Sequence, residues 1–443
     1  MEHSKYDAKS HTVYNNSLNE NRFKELLFIF RLAGIPLNKK SVSRVNAVYK
    51  ATVIVCFYIT NFCLCVDTFV HRHQLEYAMK KFRVLLALQM IMWTHFSVSY
   101  RKRELQHLFR LTDSFTWEEL PTRDPDTGNL TNAGYIPIIQ RLSKRVIVFG
   151  LVYHGIQSAV RIVISHDMIF TTWFPIDASS SPLYETVILI QVMASFFAAG
   201  LYYGFPSLYA TLVCVAGSQM EKLRAVLLHV RQTRGTSGQD TSEETDEGQA
   251  AGQNKAPSEP FRRMQQKLNN CIRHHQEIKR YMALLEDITN LPMCGLFLLI
   301  LTAFCFNAFS AVTSWGDHVD EAQAVLGYIT LMGATWVYCW FGDGLSQQAE
   351  TVKDAAWGID WVGAPVPFQR SVCFIIAAAN KQFTLTAGKF VPVCNSTMMN
   401  VRKLAISCNN NTYKSKKNIH LSNNAHLFPL CHAKQFRSRF SLT

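Results

Sequence analysis

Charge is scarce in this sequence. Only 17% of its 443 residues are Asp, Glu, Lys or Arg and 48% are apolar, whereas a soluble domain usually carries about 25% charged residues. The length would allow two or three soluble domains, but the charges collect between long apolar runs, and those runs exclude that reading. Catalytic motifs are missing as well. There is no P-loop, no G-x-G-x-x-G after a strand, no G-x-S-x-G and no H-E-x-x-H, so neither an enzyme nor a bound cofactor is expected. Ionisable side chains are nearly absent from the apolar runs, which argues against a proton-coupled pump or transporter, because those place acids and bases at the midplane. Of the twelve cysteines, Cys56, Cys63, Cys65, Cys214, Cys294, Cys305 and Cys339 lie in or beside the runs. None falls in a predicted outer loop, so neither a disulfide framework nor a metal site is expected. His274 and His275 are adjacent and point to different sides of a helix. No n-region, h-region and cleavage site opens the chain, and the first span is expected to serve as its own targeting signal.

What is present is a set of membrane-length apolar segments. Crossing a hydrocarbon layer of about 30 Å takes about 20 residues at 1.5 Å per residue. Residues 51–70 carry one charge, Asp67, and 84–100 carry none. In 146–165, Arg161 stands near the end, where its long side chain can snorkel to the headgroups. Residues 186–215, 291–313 and 323–341 are free of charge. The stretch 26–33 is too short to span and reads as interfacial. The predicted fold class is therefore an all-α, polytopic membrane helical bundle with six clear spans and an incomplete seventh.

Orientation follows from the cations. Lys and Arg crowd residues 1–50, the loop after the second span and the loop after the fourth. The opposite side has only Arg72, Lys80, Lys81 and Arg83 in its first loop, and none in 166–185 or 314–322. The positive-inside rule then places the N-terminus in the cytosol. The same basic loops account for the net charge of +13, which in a soluble protein would suggest a nucleic-acid partner; none is expected here, and the lipid bilayer is the partner.

The inner loops carry their own pattern. Met220, Leu223, Leu227 and Val230, then Met264, Leu268, Cys271, His275, Ile278, Met282 and Leu285, repeat at three- and four-residue steps, so the fourth and fifth spans should continue into the cytosol as packed helices. Between them, 232–260 is rich in Gly, Ser, Glu and Gln and is predicted to be a disordered insert. The chain thus divides into a cytosolic segment 1–50, a six-span bundle 51–341, a segment 342–401 of cytosolic anchor helices and the start of the last helix, and a basic tail 402–443.

Several of these segments resemble one family. Residues 173–185 (WFPIDASSSPLYE) with Gln191, then Cys271-Ile272, His275, Ile278 and Leu285-Glu286, are similar to positions of the insect odorant receptors. The most specific stretch is 338–388, with Tyr338-Cys339, Gly342 or Gly344, Ala355-Ala356, Trp361 and Leu385-Thr386-Ala387-Gly388. The resemblance covers about residues 20–400. The N-terminal region does not look like the shared co-receptor, which points to a tuning subunit. A gustatory-type receptor lacks support because its closing Thr-Tyr and Gln-Phe signature is absent. A G-protein-coupled receptor would invert the orientation and need Asp-Arg-Tyr and Asn-Pro-x-x-Tyr motifs, which are not present.

The resemblance implies an odorant-gated, non-selective cation channel in the plasma membrane of an olfactory neuron dendrite, a hetero-tetramer with the co-receptor, its pore lined by the last helix. It also implies a ligand pocket in the outer half of each subunit. There the sequence offers Tyr153, His154, Gln157, Met193, Phe196, Phe306, Tyr328, Met332 and Trp336: apolar and aromatic walls with a few polar groups, as a small odorant requires. Each could instead simply pack between helices, and for His154, Met193 and Phe196 packing is the stronger expectation; Tyr153 is the leading candidate to orient a ligand. One segment departs from the family. Its last apolar run stops at Val401, and the following 42 residues hold eight Lys or Arg and no run near 20 residues. This tail reads as foreign to the family, from a retained intron or alternative exon, and as cytosolic.

The orientation has a direct test. Asn129-Leu130-Thr131 is an acceptor sequon in a loop placed in the cytosol, so Asn129 stays unglycosylated in cells. A glycosidase-sensitive mass that disappears in Asn129→Gln would reverse the orientation.

Overall fold

The computed structural model describes residues 22–35, 37, 44–117, 120–124, 127–175, 178, 180–237, 259–313, 318–359, 361–404 and 406–407. Its main elements are α1 (Lys24–Leu32), α2 (Arg44–Val70), α3 (Leu75–Tyr100), α4 (Lys102–Asp113), α5 (Asn132–Ser165), α6 (Leu183–Ser237), α7 (Glu259–Thr313), α8 (His318–Trp357) and α9 (Val366–Asn380). A two-stranded antiparallel hairpin follows, β1 (Thr386–Ala387) with β2 (Val391–Pro392), and residues 395–404 are again helical.

Five helices, α2, α5, α6, α7 and α8, are long and apolar enough to cross a bilayer. Helices are what lipid demands, since no water is there to satisfy the backbone. The remaining predicted span, 84–100, is the second part of α3, which packs against α2, α6 and α7. Here the structure corrects the sequence reading. Lys80, Lys81 and Arg83 were expected in an outer loop, yet they lie inside α3, and Lys81 is buried. The fourth and fifth spans do continue past their apolar runs, as 55-residue helices. Of the 232–260 insert, residues 238–258 lie outside the described residues, as does the tail from 408.

Helix α6 touches α1, α2, α3, α5, α7 and α8. Glycine lets the neighbours come close: a Cβ on Gly200 would lie 2.9 Å from the Ala33 Cβ, and one on Gly204 would lie 3.0 Å from Ile29 Cγ2. The apolar face of α1, with Leu26, Ile29 and Phe30 buried, is therefore covered by protein. Helix α5 is the opposite case. Val152, Ile156, Val160, Val163 and Ile164 are all exposed on it, and in a membrane helix such a face meets lipid.

The inner end is tied by the family-like residues. The Thr386 hydroxyl and N–H both donate to the Glu286 carboxylate, at 2.5 and 3.2 Å, and the Gly388 N–H donates to the Asn290 carbonyl at 2.9 Å. Gly388 has φ +64, and a side chain there would strike Cys294 Sγ. Gly342 on α8 admits the Val393 carbonyl, which would be 2.5 Å from any Cβ. The hairpin is thus seated between α7 and α8.

Candidate ligand site

At the opposite end, which the cation distribution makes the outer one, α5 stops at His166 in a left-handed conformation (φ 53). The loop that follows is held from inside by Gln191, which is fully buried. Its Oε1 accepts the Phe170 N–H at 2.9 Å, and its Nε2 donates to the Phe170 carbonyl at 2.8 Å. One amide satisfies both main-chain groups of a loop residue that has no strand or helix to satisfy them. Beneath this clamp the Phe170 ring lies 5.5 Å from the His154 ring. The Ser195 hydroxyl donates to the Gln191 carbonyl at 2.8 Å, and His154 Nε2 lies 3.2 Å from Ser195 Oγ. With the single serine proton engaged, His154 Nε2 carries the hydrogen in that contact.

A second clamp holds the loop from the side. Lys81 Nζ donates to both the carbonyl and the hydroxyl of Thr171 and lies 3.4 Å from Asp67 Oδ2. Asp67 also accepts from the Tyr77 hydroxyl at 3.1 Å and faces His71 Nδ1 at 3.3 Å. Asp67 and Lys81 are both buried, and buried charges persist only with such partners. The two clamps join α2, α3 and α6 to one loop above α5.

The nine sequence candidates separate into three groups. His154 sits under the clamp. Met193, Phe306, Tyr328 and Met332 are partly buried against the core, with Phe306 4.4 Å from the Phe82 ring and Tyr328 5.3 Å from the Phe304 ring. Tyr153 is 40% exposed and accepts from Gln157 Nε2 at 2.9 Å, while Phe196 is 39% and Trp336 45% exposed, the last 5.5 Å from Trp340. These four line the outer faces of the bundle. A separate cavity between α3, α6, α7 and α8 is bordered by Thr94, Tyr202 and Tyr338 among apolar residues, and none of the nine lines it.

Sequence reasoning passed over Phe170, Ser195, Lys81 and Asp67 as site residues. A signal existed for one of them: Asp67 is the single charge of its span. Gln191, quoted for the family pattern, is likewise a polar side chain in a long apolar run. The arrangement sets the His154 imidazole against the Ser195 hydroxyl and the Phe170 ring, a hydrogen-bonding rung in an apolar and aromatic setting.

A family model described as 7tm Odorant receptor matches residues 74–406. The chain belongs to this family. It is a multi-pass membrane protein and, as read from the sequence, not an enzyme. It is 23% identical to Odorant receptor 2a of Drosophila melanogaster over 274 residues, 60% of this chain and 64% of that protein. It is also 23% identical to Odorant receptor Or2 of Anopheles gambiae over 220 residues, 49% and 53%. The match thus spans less than two thirds of either relative. Among solved structures, the insect olfactory receptor OR5 from Machilis hrabei, determined in complex with eugenol, superposes with a TM-score of 0.62 at 16% identity, covering 91% of this chain and 99% of that one. The likeness establishes the fold.

If the clamp closes the outer end of this odorant receptor family member, Gln191→Leu strands the Phe170 N–H and leaves its carbonyl only the Thr172 hydroxyl at 3.3 Å, a loss of about 1–3 kcal/mol locally. Hydrogen exchange at the Phe170 amide should then accelerate at least tenfold, about 1.4 kcal/mol. An unchanged exchange rate would show that the loop is held elsewhere.

Proposed function

We propose that this chain is the ligand-tuned subunit of an odorant-gated, non-selective cation channel, assembled with a co-receptor subunit as a hetero-tetramer in the plasma membrane of an olfactory neuron dendrite, with a cytosolic N-terminus. The observation that carries the proposal is the clamped outer loop over His154 and Ser195, a polar rung in an otherwise apolar and aromatic setting. A small volatile molecule binds there against Met193, Phe306, Tyr328 and Met332. Apolar odorants concentrate in the bilayer, so Tyr153, Gln157, Phe196 and Trp336 on the lipid side form the approach, and Tyr153 orients the ligand as it passes inward. Segment 342–401 serves as the cytosolic anchor, and its hairpin, seated on Glu286, links the bundle to the last helix.

That last helix limits the subunit. Its apolar run ends at Val401 and is followed by a basic tail, so the chain retains ligand binding and does not line a conduction pathway. Co-expressed with a co-receptor, the unmodified chain gives no odorant-evoked current, and a chimera taking residues 390 onward from an intact relative restores one. In that chimera Tyr153→Ala raises the half-maximal agonist concentration about tenfold, 1.4 kcal/mol, at unchanged surface abundance. A robust current from the unmodified chain would contradict the account of the tail, and an unmoved dose-response curve would return Tyr153 to packing.

A further inference from the structure

Helix α1 is seated where the bundle leaves the hydrocarbon on its inner side. Ala33 packs on Gly200 and Ile29 on Gly204, both within the charge-free run 186–215. Between those two levels the Ser143 hydroxyl of α5 donates to the Tyr203 carbonyl at 3.3 Å, and Lys144 reaches Glu25 of α1 at 2.9 Å. Arg31, lying between Ile29 and Ala33, therefore stands level with Lys144 and Arg145, where the apolar run 146–165 begins. Arg141 lies about one turn further in on α5, and Lys24 about two turns further in on α1.

The sequence turns these cations outward. Leu26, Ile29 and Phe30 of α1 are buried in the bundle, so Lys24, Phe28 and Arg31, at steps of four and three residues, share the other face. All three are exposed. On α5, Ser143 and Ile147 are buried, while Arg141, Leu142, Lys144 and Arg145 are exposed. Val148 and Phe149 carry the exposed apolar surface on toward the outer side. The result is a cationic belt with apolar side chains set in it and beyond it.

The belt's charge is one-sided. Glu25 is the only carboxylate in either helix, and its bond to Lys144 leaves that side chain 51% exposed. Arg141 turns its Nε to the Pro137 carbonyl at 3.2 Å. Among the described residues, no carboxylate lies within ion-pair distance of Lys24, Arg31 or Arg145. Like charges held together at the edge of hydrocarbon repel one another and lose part of their hydration, and an anion relieves both costs.

We infer that this belt binds an anionic glycerophospholipid of the inner leaflet, of the phosphatidylserine class. Its headgroup lies against Arg31, Lys144 and Arg145, and its acyl chains run outward over Val148 and Phe149. Charge complementarity selects the headgroup, since the cytosolic leaflet carries such lipids and each Lys or Arg near its surface adds to the attraction. The apolar side chains select a lipid over a soluble anion, because acyl chains gain by covering them and a free phosphate does not. With α1 packed on α6, the bound lipid holds α1 to the central helix. The surface lies at the opposite end from the outer loop and stands whether or not an odorant binds there.

The full chain, purified in detergent and titrated with phosphatidylserine or with phosphatidylcholine of equal chain length, tests this by hydrogen exchange at residues 29–34. Phosphatidylserine should slow exchange there at about a tenfold lower concentration than phosphatidylcholine, and the difference should shrink at high salt. Arg31→Gln and Arg145→Gln should each raise the half-saturating concentration about fivefold, the scale of one cation at a membrane surface. Glu25→Gln should lower it by removing the belt's carboxylate, and Lys267→Gln, an exposed cation on α7, should leave it unmoved. The inference is overturned by no protection with either lipid, by equal half-saturation for the two, by an equal loss in Lys267→Gln, or by equal protection from glycerophosphoserine, the headgroup without chains. If Arg31→Gln fails to reach the membrane, Arg145→Gln and Glu25→Gln decide: no change in either overturns the site.

Discussion

The bilayer leaves a backbone no water to turn to, and every feature of this molecule answers that constraint. Its solution is a bundle gathered around α6, which touches six other helices. Such contacts cannot be driven by hiding oil from water within a medium that is itself oil, so they rest on close packing and a few buried polar bonds. Gly200 and Gly204 supply the closeness against α1. The buried Tyr281 hydroxyl, donating to the Leu212 carbonyl at 3.1 Å, supplies one of the polar bonds between α6 and α7.

The same constraint explains where irregular backbone is allowed. A loop and a hairpin approach the bundle at opposite ends, and each is met by a side chain dedicated to its main-chain groups. Gln191 does this for Phe170 at the outer end, and Glu286 does it for Thr386 at the inner end. Under the proposed reading a ligand beneath the outer loop contacts α5 and α6, while the hairpin rests on α7 and α8. Helix α6 packs against both of the latter, so one continuous helix stands between the two ends.

Much of this was legible in the residues. Long apolar runs located the spans because span length is a property of the chain alone, and the three- and four-residue stripes located the inner extensions. The family-like residues also converge: Leu285-Glu286 and Leu385-Thr386-Ala387-Gly388, a hundred positions apart, meet in one hydrogen-bonded contact. Lys81 was not legible. Three cations beside an apolar run look like a loop, and only the fold brings Asp67 and Thr171 to one of them and buries it. Nor was the facing of Tyr153. Periodicity shows which residues share a side of a helix and leaves open whether lipid or protein covers that side, and α5 is apolar almost all round. The cavity between α3, α6, α7 and α8 depends on how side chains of four helices fit, which no spacing encodes.

The account stands on ligand recognition beneath the clamped outer loop. A cryo-electron microscopy map of the full chain, prepared with the strongest agonist from an odorant panel, tests it most directly. The account predicts ligand density in contact with His154, Ser195 and the Phe170 ring, with the Gln191 clamp intact above it. Agonist density elsewhere in the molecule, with that region unchanged, would contradict it.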